Sequence, residues 1–344
     1  MRQAVMTKPG AIEIRDEKIP QPKAGEVLLR VRRIGVCGSD IHVYHGLHPY
    51  TAYPVVQGHE VSCVIEALGA GVLGMAVGDA ATFMPQISCG KCYPCRSGQY
   101  HICDSLKVMG FQAPGAAQDY FVVTAEKVIL LPPGLSPEAG AMIEPLAVAV
   151  HALRRGGGAK GKKVVVVGAG PIGNLVAQSA KALGATSVMI TDKSLSRLAF
   201  AKDCGVDITV DANSESLADA IPKAYGSDKA DLILECIGAE ATIVQAIEAA
   251  RKGSTIVVVG VFGKKPTVDL GLVQDRELSL VGTLMYRKED YDEAVVLAAS
   301  GRMHLDKLVT NSFRFEDYLE AYRFIEKAGE KAMKVMITLE NISA

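Results

Sequence analysis

One stretch of the chain combines residue type and spacing in a way that indicates metal binding. Four cysteines occur in the pattern C-x2-C-x2-C-x7-C, at Cys89, Cys92, Cys95 and Cys103. Thiolate sulfurs bind zinc tetrahedrally, and short C-x2-C steps let one loop supply several of the ligands. Because four sulfurs leave no coordination position open, the pattern predicts a structural zinc that ties a loop down and does no chemistry.

Four cysteines can also hold an iron–sulfur cluster or form two disulfides. An iron–sulfur cluster also takes four thiolates, but its usual spacings differ from this one. Disulfides form in oxidising compartments, and the first twenty residues lack the apolar core of a signal peptide. No stretch is long and apolar enough to cross a bilayer. We therefore expect a cytoplasmic protein whose eight cysteines stay reduced.

A second motif has the form of a dinucleotide-binding turn. The apolar run Val164–Val167 leads directly into G-x-G-x-x-G, and a helix pattern follows. The first glycine allows the tight turn, the second lets the backbone approach a pyrophosphate, and the third lets helix and strand pack closely. The helix N-terminus offers free N–H groups to the phosphates. The predicted cofactor contacts are Gly168, Gly170, Pro171, Ile172 and Gly173.

An acidic residue follows this motif at the end of the next predicted strand. Asp192 is placed to accept hydrogen bonds from the ribose hydroxyls and to repel a 2′-phosphate, which favours NAD over NADP. Lys193 and Arg197 keep NADP open, because nearby cations can accommodate a phosphate, and Arg197 joins the predicted cofactor-binding residues.

Four more residues are possible ligands of a second, open metal site. Cysteine, histidine and carboxylate all bind zinc, and three protein ligands plus a water make the catalytic form of a zinc site. Taken singly, each residue has a structural interpretation, such as a buried thiol, a core histidine or an acid at the start of a helix. Residue type alone does not show that they meet; they are Cys37, His59, Glu60 and Glu144.

The surrounding elements divide the chain into two kinds of structure. Short strands with Gly and Pro between them fill the first 148 residues and predict a barrel-like antiparallel domain. Apolar strands alternate with helices over 149–284, which predicts a parallel sheet covered on both faces. Residues 285–344 are expected to return to the first domain. A net charge of −1 provides no basic field for nucleic acid or an anionic membrane.

The order of motifs resembles the zinc-containing medium-chain dehydrogenase/reductase (alcohol dehydrogenase) family, and most closely its sorbitol/polyol and sugar-acid branch. Cys-Gly-Ser-Asp-x-His is followed by Gly-His-Glu, the four-cysteine loop, Glu-Pro-Leu and Gly-Ala-Gly-Pro-Ile-Gly. The resemblance spans essentially the whole chain. It implies an α/β protein with a GroES-like catalytic domain, a Rossmann NAD-binding domain and a homodimeric or homotetrameric assembly.

The resemblance also implies roles for individual residues. Cys37 and His59 would bind a catalytic zinc, while Glu60 and Glu144 would bind it directly or through water. The four-cysteine loop would hold a second zinc. Ser39 would take the substrate proton and pass it, through a cofactor ribose hydroxyl, to His42. The carbon that bears the deprotonated hydroxyl of a polyhydroxylated small molecule would then transfer its hydride to NAD, and zinc would stabilise the charge on the oxygen.

Substrate identity stays open at this stage. Val43 stands where polyol dehydrogenases carry an aromatic residue, and Met285-Tyr286 replaces their Arg-Tyr pair. Six residues are candidates to line a polar pocket, namely Tyr44, His45, His48, Tyr50, Tyr53 and Phe111. An amino-alcohol oxidoreductase resembling threonine 3-dehydrogenase is the enzymatic alternative. A non-catalytic family member with a binding or structural role is the alternative of another class.

Overall fold

The computed structural model describes residues 1–339. The last five residues of the predicted returning segment, 340–344, lie outside the described residues. The strands of the protein are β1 (Arg2–Lys8), β2 (Ala11–Asp16), β3 (Glu26–Val36), β4 (Glu60–Leu68), β5 (Ala80–Phe83), β6 (Gln86–Ile87), β7 (Lys107–Val108), β8 (Tyr120–Thr124), β9 (Val128–Leu130), β10 (Lys163–Val167), β11 (Ser187–Asp192), β12 (Ile208–Asp211), β13 (Leu232–Glu235), β14 (Thr255–Val258), β15 (Ser279–Gly282), β16 (Val309–Arg314) and β17 (Lys334–Thr338).

Helices connect and cover these strands. They are α1 (Gly38–Tyr44), α2 (Tyr93–Arg96), α3 (Pro137–Ala141), α4 (Ile143–Arg155), α5 (Pro171–Ala182), α6 (Leu195–Asp203), α7 (Leu217–Tyr225), α8 (Glu240–Ala249), α9 (Leu270–Asp275), α10 (Lys288–Ala299), α11 (Leu305–Leu308) and α12 (Tyr318–Ala328). Over residues 1–339, none of them has the length and apolarity that a membrane crossing requires.

The chain divides into two compact units. The first consists of Met1–Glu144, Arg287–Ala299 and the described residues from Val309 onward; the second consists of Pro145–Tyr286 and Ser300–Leu308.

One segment differs from the sequence-based division, which assigned all of 285–344 to the first domain. Ser300–Leu308 belongs with the second unit. The backbone N–H of His304 donates to Gln178 Oε1 at 2.7 Å, and Leu305 is 3% exposed. Burial of its leucine and a hydrogen bond to α5 therefore hold this segment to the second unit, although its sequence neighbours on both sides return to the first.

The first unit is built around a seven-stranded sheet with the order β16-β17-β3-β4-β5-β9, in which β8 also pairs with β3. Neighbours are antiparallel except for the parallel pair β16 and β17. Its core includes the fully buried Leu29, Ile34, Ile65 and Phe83. The C-terminal strand β17 adds to β3 by pairing Val335 with Val36, so the end of the chain completes the N-terminal sheet.

The second unit is a six-stranded parallel sheet with the order β12-β11-β10-β13-β14-β15. Numbered from β10, this is the order 3-2-1-4-5-6 of the Rossmann fold, which confirms the predicted fold class. The side chains of β10 from Val164 to Val167 are buried, as expected for a strand covered on both faces. The apolar run predicted at Val164–Val167 forms β10, and the helix predicted after the glycine motif is α5.

Candidate active site and metal centres

The register between β3 and β4 brings the second set of metal-ligand candidates together. Gly35 near the end of β3 pairs with Glu60 at the start of β4. Cys37 follows the end of β3, and His59 precedes the start of β4, so antiparallel pairing places the two side by side. A Cβ on Gly35 would lie 2.4 Å from Glu60 Oε2, so only glycine leaves room for that carboxylate.

Cys37, His59 and Glu60 form a three-ligand cluster in which the ligand atoms all lie within 4.8 Å of one another. His59 and Glu60 are 4% and 1% exposed, so the cluster is shielded from water on that side. Burial lowers the pKa of His59, but the negative charges of Asp40, Cys37 and Glu144 raise it by more, to well above its usual range. The field that stabilises an imidazolium here also favours a bound divalent cation.

This donor set fits zinc. It combines one thiolate, one imidazole and one carboxylate, all of which are common zinc ligands, and three protein ligands leave a position for an exchangeable fourth.

Glu60 has a second partner that the sequence analysis missed. Lys334, the first residue of β17, is 3% exposed, and its Nζ lies 2.5 Å from Glu60 Oε2 and 3.4 Å from the carbonyl oxygen of Val36. Burial lowers the pKa of Lys334, but the negative charges of Glu60 and Cys37 raise it by more. The ammonium therefore balances the charge of Glu60, and a metal ion would share this carboxylate with Lys334.

Asp40 is a further functional residue that sequence reasoning left unassigned, although it lies within the Cys37 motif. Its Oδ2 accepts a hydrogen bond from the backbone N–H of Cys37 at 2.9 Å, which caps helix α1 and fixes the cysteine. Its Oδ1 lies 3.7 Å from His59 Nδ1. A carboxylate behind a ligating histidine orients the ring and makes it a stronger donor. The signal in the sequence was an acid three residues after the helix N-cap.

Glu144 lies close to this cluster but is not one of its three members. It is 5% exposed, in the first turn of α4, and its charge raises the pKa of both His59 and Lys334. Its carboxylate is therefore placed to act on the cluster electrostatically. Direct ligation by Glu144 stays a prediction.

Ser39 and His42 lie on α1, directly after Cys37. They are three residues apart and therefore share one side of the helix. Ser39 is half-buried and His42 is exposed. Their roles in the proton relay stay predictions.

The six pocket candidates separate into different environments. His48 stacks on Phe111 with ring centroids 4.9 Å apart, and Phe111 lies 5.0 Å from the His59 ring. Phe111 is therefore adjacent to the metal ligands, and His48 packs on it. Tyr44 is buried against Tyr322 of α12. Of the remaining three, His45 forms an ion pair, Tyr50 is exposed, and the Tyr53 hydroxyl donates to a backbone carbonyl oxygen.

The four cysteines of the loop form the second ligand cluster, with all four sulfurs within 4.8 Å of one another. The sulfurs of Cys92 and Cys103 lie 3.8 Å apart. A tetrahedral zinc with Zn–S bonds of about 2.3 Å holds its sulfurs about 3.8 Å apart, so the spacing fits this ion. No disulfide joins any of the eight cysteines, all of which lie in the described chain.

Backbone groups prepare this loop for a cation. Hydrogen bonds from the N–H groups of Lys91 and Cys92 lower the pKa of the Cys89 thiol to about 6. Desolvation and the neighbouring Cys92 raise the pKa of Cys95 to about 12. One thiolate is thus available at neutral pH, and a bound cation would favour loss of the remaining thiol protons.

The glycine motif has the geometry of a phosphate-binding turn. Gly168 has φ +103°, and a Cβ there would lie 2.6 Å from Ile237. A Cβ on Gly173 would lie 1.8 Å from the carbonyl oxygen of Gly168. At Gly170 the nearest atom to such a Cβ is 3.8 Å away, on Arg197, which leaves the backbone open to a ligand. Pro171 and Ile172 begin the following helix, α5.

Asp192 closes this site at the end of β11. Its Oδ2 accepts from the N–H of Ala169 at 2.7 Å, and its Oδ1 accepts from the N–H of Ser194 at 2.8 Å. The carboxylate is therefore fixed beside the glycine turn. Each oxygen retains a further lone pair for a ribose hydroxyl.

The fold and the sites define the class of this protein as a metal-containing, nucleotide-dependent oxidoreductase. The features that do so are the three-ligand metal cluster, the four-cysteine loop and the Rossmann sheet with its glycine turn. Two family models match the chain: the alcohol dehydrogenase GroES-like domain over residues 23–133, and the zinc-binding dehydrogenase domain over residues 171–300.

Individual relatives agree with these models. The chain is 36% identical to 2-dehydro-3-deoxy-L-galactonate 5-dehydrogenase of Pseudoalteromonas atlantica, over 92% of each chain. It is 37% identical to sorbitol dehydrogenase of Halalkalibacterium halodurans, over 98% of this chain and 99% of the relative. A solved alcohol dehydrogenase structure from Escherichia coli, complexed with NADH, matches with a TM-score of 0.91 at 30% identity, over 98% and 99% of the two chains.

The chain belongs to the zinc-containing alcohol dehydrogenase family. It is an oxidoreductase with a GroES-like domain and a Rossmann domain, and zinc and a nicotinamide dinucleotide are the cofactors of its class. The resemblance found in the sequence is thereby confirmed.

Proposed function

We propose that the protein is a zinc-dependent dehydrogenase that transfers a hydride from a secondary alcohol of a polyol, sugar or sugar acid to NAD+. The observation that supports this most directly is the cluster of Cys37 with the buried His59 and Glu60, which offers a cation three ligands within residues 1–339. A closed site would exclude substrate, whereas an open one admits a hydroxyl beside the ion.

The substrate class is inferred from the relatives and from the site. Two relatives at 36% and 37% identity are named as dehydrogenases of a sugar acid and of sorbitol. The Phe111 ring lies 5.0 Å from the His59 ring, and His48 stacks on Phe111 at 4.9 Å, which gives one apolar and one polar ring near the ligand cluster. A ring nitrogen that can bond a hydroxyl, beside an apolar face, suits a polyhydroxylated carbon chain.

The residues of the chain have two tasks in the proposed reaction, which are to bind the metal ion and to transfer a proton. When bound, zinc supplies a Lewis acid that lowers the pKa of a hydroxyl, and the nicotinamide supplies the hydride acceptor. Cys37 and His59 would hold the ion, and Asp40 would keep both in place. The Ser39 hydroxyl would accept the proton that the substrate loses while it gives up its own, and His42, at the exposed side of α1, would receive the relayed proton and release it to solvent.

Replacement of the relay hydroxyl should slow the reaction without removing the metal. Ser39→Ala is expected to lower kcat about 100-fold, because general-base assistance contributes factors of this size. Ser39→Thr keeps a hydroxyl and should retain most of the turnover. Steady-state kinetics together with the zinc content of each variant check this. Near-normal kcat in Ser39→Ala would remove the residue from the mechanism.

Asp192 supports NAD+ as the cofactor, since its fixed carboxylate would repel a 2′-phosphate. We expect Asp192→Asn to raise the KM for NAD+ about 10-fold, because a hydrogen bond to a charged group contributes about 1.5 kcal/mol or more. The ratio of kcat/KM for NAD+ to that for NADP+ should also fall, because the neutral amide would no longer repel a 2′-phosphate. Asp211→Asn, which alters the residue paired with Asp192 on β12, is the matched control. Equal kinetics in the two variants would contradict this assignment.

A direct assay tests the proposal as a whole. The zinc-loaded protein is incubated with NAD+ or NADP+ and a panel of polyols, aldonates and threonine, and the absorbance of reduced nicotinamide is followed. Fastest turnover of threonine would favour the amino-alcohol alternative. No turnover of any substrate, with a single zinc per chain, would favour the non-catalytic alternative.

The protein is further proposed to form a homodimer or homotetramer in the cytoplasm. The apolarity of 255–261 is explained in part by burial, because β14 lies inside the sheet and Ile256 and Val257 are 0% exposed. One of the two edge strands is β15, where Leu280 is 37% exposed, and an exposed edge of this kind suits a homodimer or homotetramer. Light scattering measures the assembly. Eight cysteines without a disulfide suit the cytoplasm.

A further inference from the structure

A chain of buried polar side chains extends from the metal ligands to the C-terminal helix. Asp40 Oδ1 accepts a hydrogen bond from Gln57 Nε2 at 3.0 Å. The Oε1 atom of the same glutamine accepts one from the Oη of Tyr322, on α12, at 2.9 Å. Asp40, Gln57 and Tyr322 are 1%, 2% and 0% exposed. Water therefore cannot replace any member of this chain.

The orientation of the Gln57 amide matches the partner on each side, because the Asp40 carboxylate can only accept a hydrogen bond. The phenol of Tyr322 can donate to the oxygen of the Gln57 amide but cannot donate to its nitrogen. With Oε1 facing the phenol, the amide N–H group must face Asp40, where it meets Oδ1 and, at 3.4 Å, the backbone oxygen. If the phenol were absent, the buried Oε1 of Gln57 would lose its donor, and only the bonds to Asp40 would hold the amide in place.

Asp40 is the point at which this chain meets the metal ligands. One carboxylate oxygen accepts from the N–H of Cys37, and the other faces both Gln57 and the Nδ1 atom of His59. His59 Nδ1 is buried and has no hydrogen bond in the described part of the chain, so Asp40 is the acceptor placed to orient it. Any rotation of Asp40 would therefore displace two predicted zinc ligands at once.

We infer that Tyr322 and Gln57 are positioning residues for the catalytic zinc: the phenol holds the amide in place, the amide fixes Asp40, and Asp40 holds Cys37 and His59. This rests on the part of the proposed function that places zinc at Cys37 and His59. The residue that begins the chain of contacts lies 265 positions after Gln57 in the sequence, so the C-terminal helix takes part in metal retention.

The experiment measures zinc affinity rather than turnover. The zinc-loaded protein is titrated with a chromophoric chelator, and the step that Cys37→Ala abolishes is assigned to the catalytic site. Tyr322→Phe should weaken zinc at this site about 10-fold, the lower end of the range for partners behind metal ligands. Zinc bound by the four cysteines should be released at the same chelator concentration as in the unaltered protein.

A double-mutant cycle separates positioning from simple loss of packing. Gln57→Met removes the amide with little change in volume and should weaken zinc at least as much as Tyr322→Phe. The double variant should be no weaker than Gln57→Met, since the phenol acts only through the amide. Tyr291→Phe is the matched control, because this buried tyrosine in the same unit donates to the carbonyl oxygen of Phe83 at 3.1 Å.

The outcomes are distinct. Zinc affinity in Tyr322→Phe equal to that in Tyr291→Phe would overturn the inference, as would full additivity in the cycle. If Tyr322→Phe does not fold, Gln57→Met alone decides, because unchanged zinc affinity there removes the link between α12 and Asp40. Zinc binding is measured without substrate, so a protein that binds zinc through this network but oxidises no alcohol would contradict only the proposed function.

Discussion

Cys37→Ala is expected to lower turnover about 1,000-fold or more and to remove one of two zinc ions per chain. The variant leaves the cluster with one imidazole and a carboxylate that is already paired with Lys334 at 2.5 Å. Without the ion, the Lewis-acid contribution of several kcal/mol to the transition state is lost, and each 1.36 kcal/mol corresponds to about a tenfold change in rate.

The chain offers a matched control for this variant. Cys63 lies on β4, is 2% exposed and belongs to neither ligand cluster. Cys63→Ala makes the same chemical change in the same unit and should keep both zinc ions and most of the turnover, at some cost in stability from the lost packing. Metal analysis and kcat measured side by side give the test. Two zinc ions and normal kcat in Cys37→Ala would exclude this site from catalysis.

The parts of the structure that sequence predicted best are those in which the signal is local. The apolar run at Val164–Val167 and the glycines that follow specify a strand, a turn and a helix through neighbouring residues alone. The four-cysteine loop is equally local, since its ligands lie within one short segment. The Rossmann unit and the structural metal lobe could therefore be derived before any coordinates.

The open metal site could not be derived in this way, because it depends on contacts between distant segments. The proximity of Cys37 to His59 follows from the register of β3 with β4, which no short pattern encodes. Only the resemblance of the motif series joined them. The ion pair between Lys334 and Glu60 could not be predicted either. In the sequence Lys334 is only a charged residue at the start of an apolar strand, and Glu60 lies 274 positions away.

The same reason explains the misplaced segment at 300–308. Its composition does not distinguish it from the neighbouring parts that return to the first unit. The hydrogen bond from His304 to Gln178 assigns it to the second unit, and that contact spans 126 positions. Local propensity predicts the elements well, whereas the unit to which a short element belongs is decided by side chains on other elements.

Cys103→Ala should separate stability from catalysis. Cys103 is 6% exposed, and its sulfur accepts hydrogen bonds from the N–H groups of Cys89 at 3.3 Å and Ser105 at 3.4 Å, so its loss opens the lobe at several points. Loss of a structural metal is among the few single changes that cost more than about 4 kcal/mol. For a chain of this size a loss of about 4 kcal/mol should lower the unfolding midpoint by about 6 °C, and we expect one zinc to be lost.

Turnover at temperatures well below that midpoint should stay near normal, because four thiolates leave no position for a substrate oxygen. Cys204→Ala is the matched control: its thiol is 4% exposed, it lies in the second unit, and it belongs to neither cluster. Calorimetry, zinc content and kcat at low temperature are measured on both variants. If Cys103→Ala lost turnover while the zinc at Cys37 and His59 remained bound, the four-cysteine lobe would have to take part in the chemistry, and its assignment as a purely structural site would be wrong.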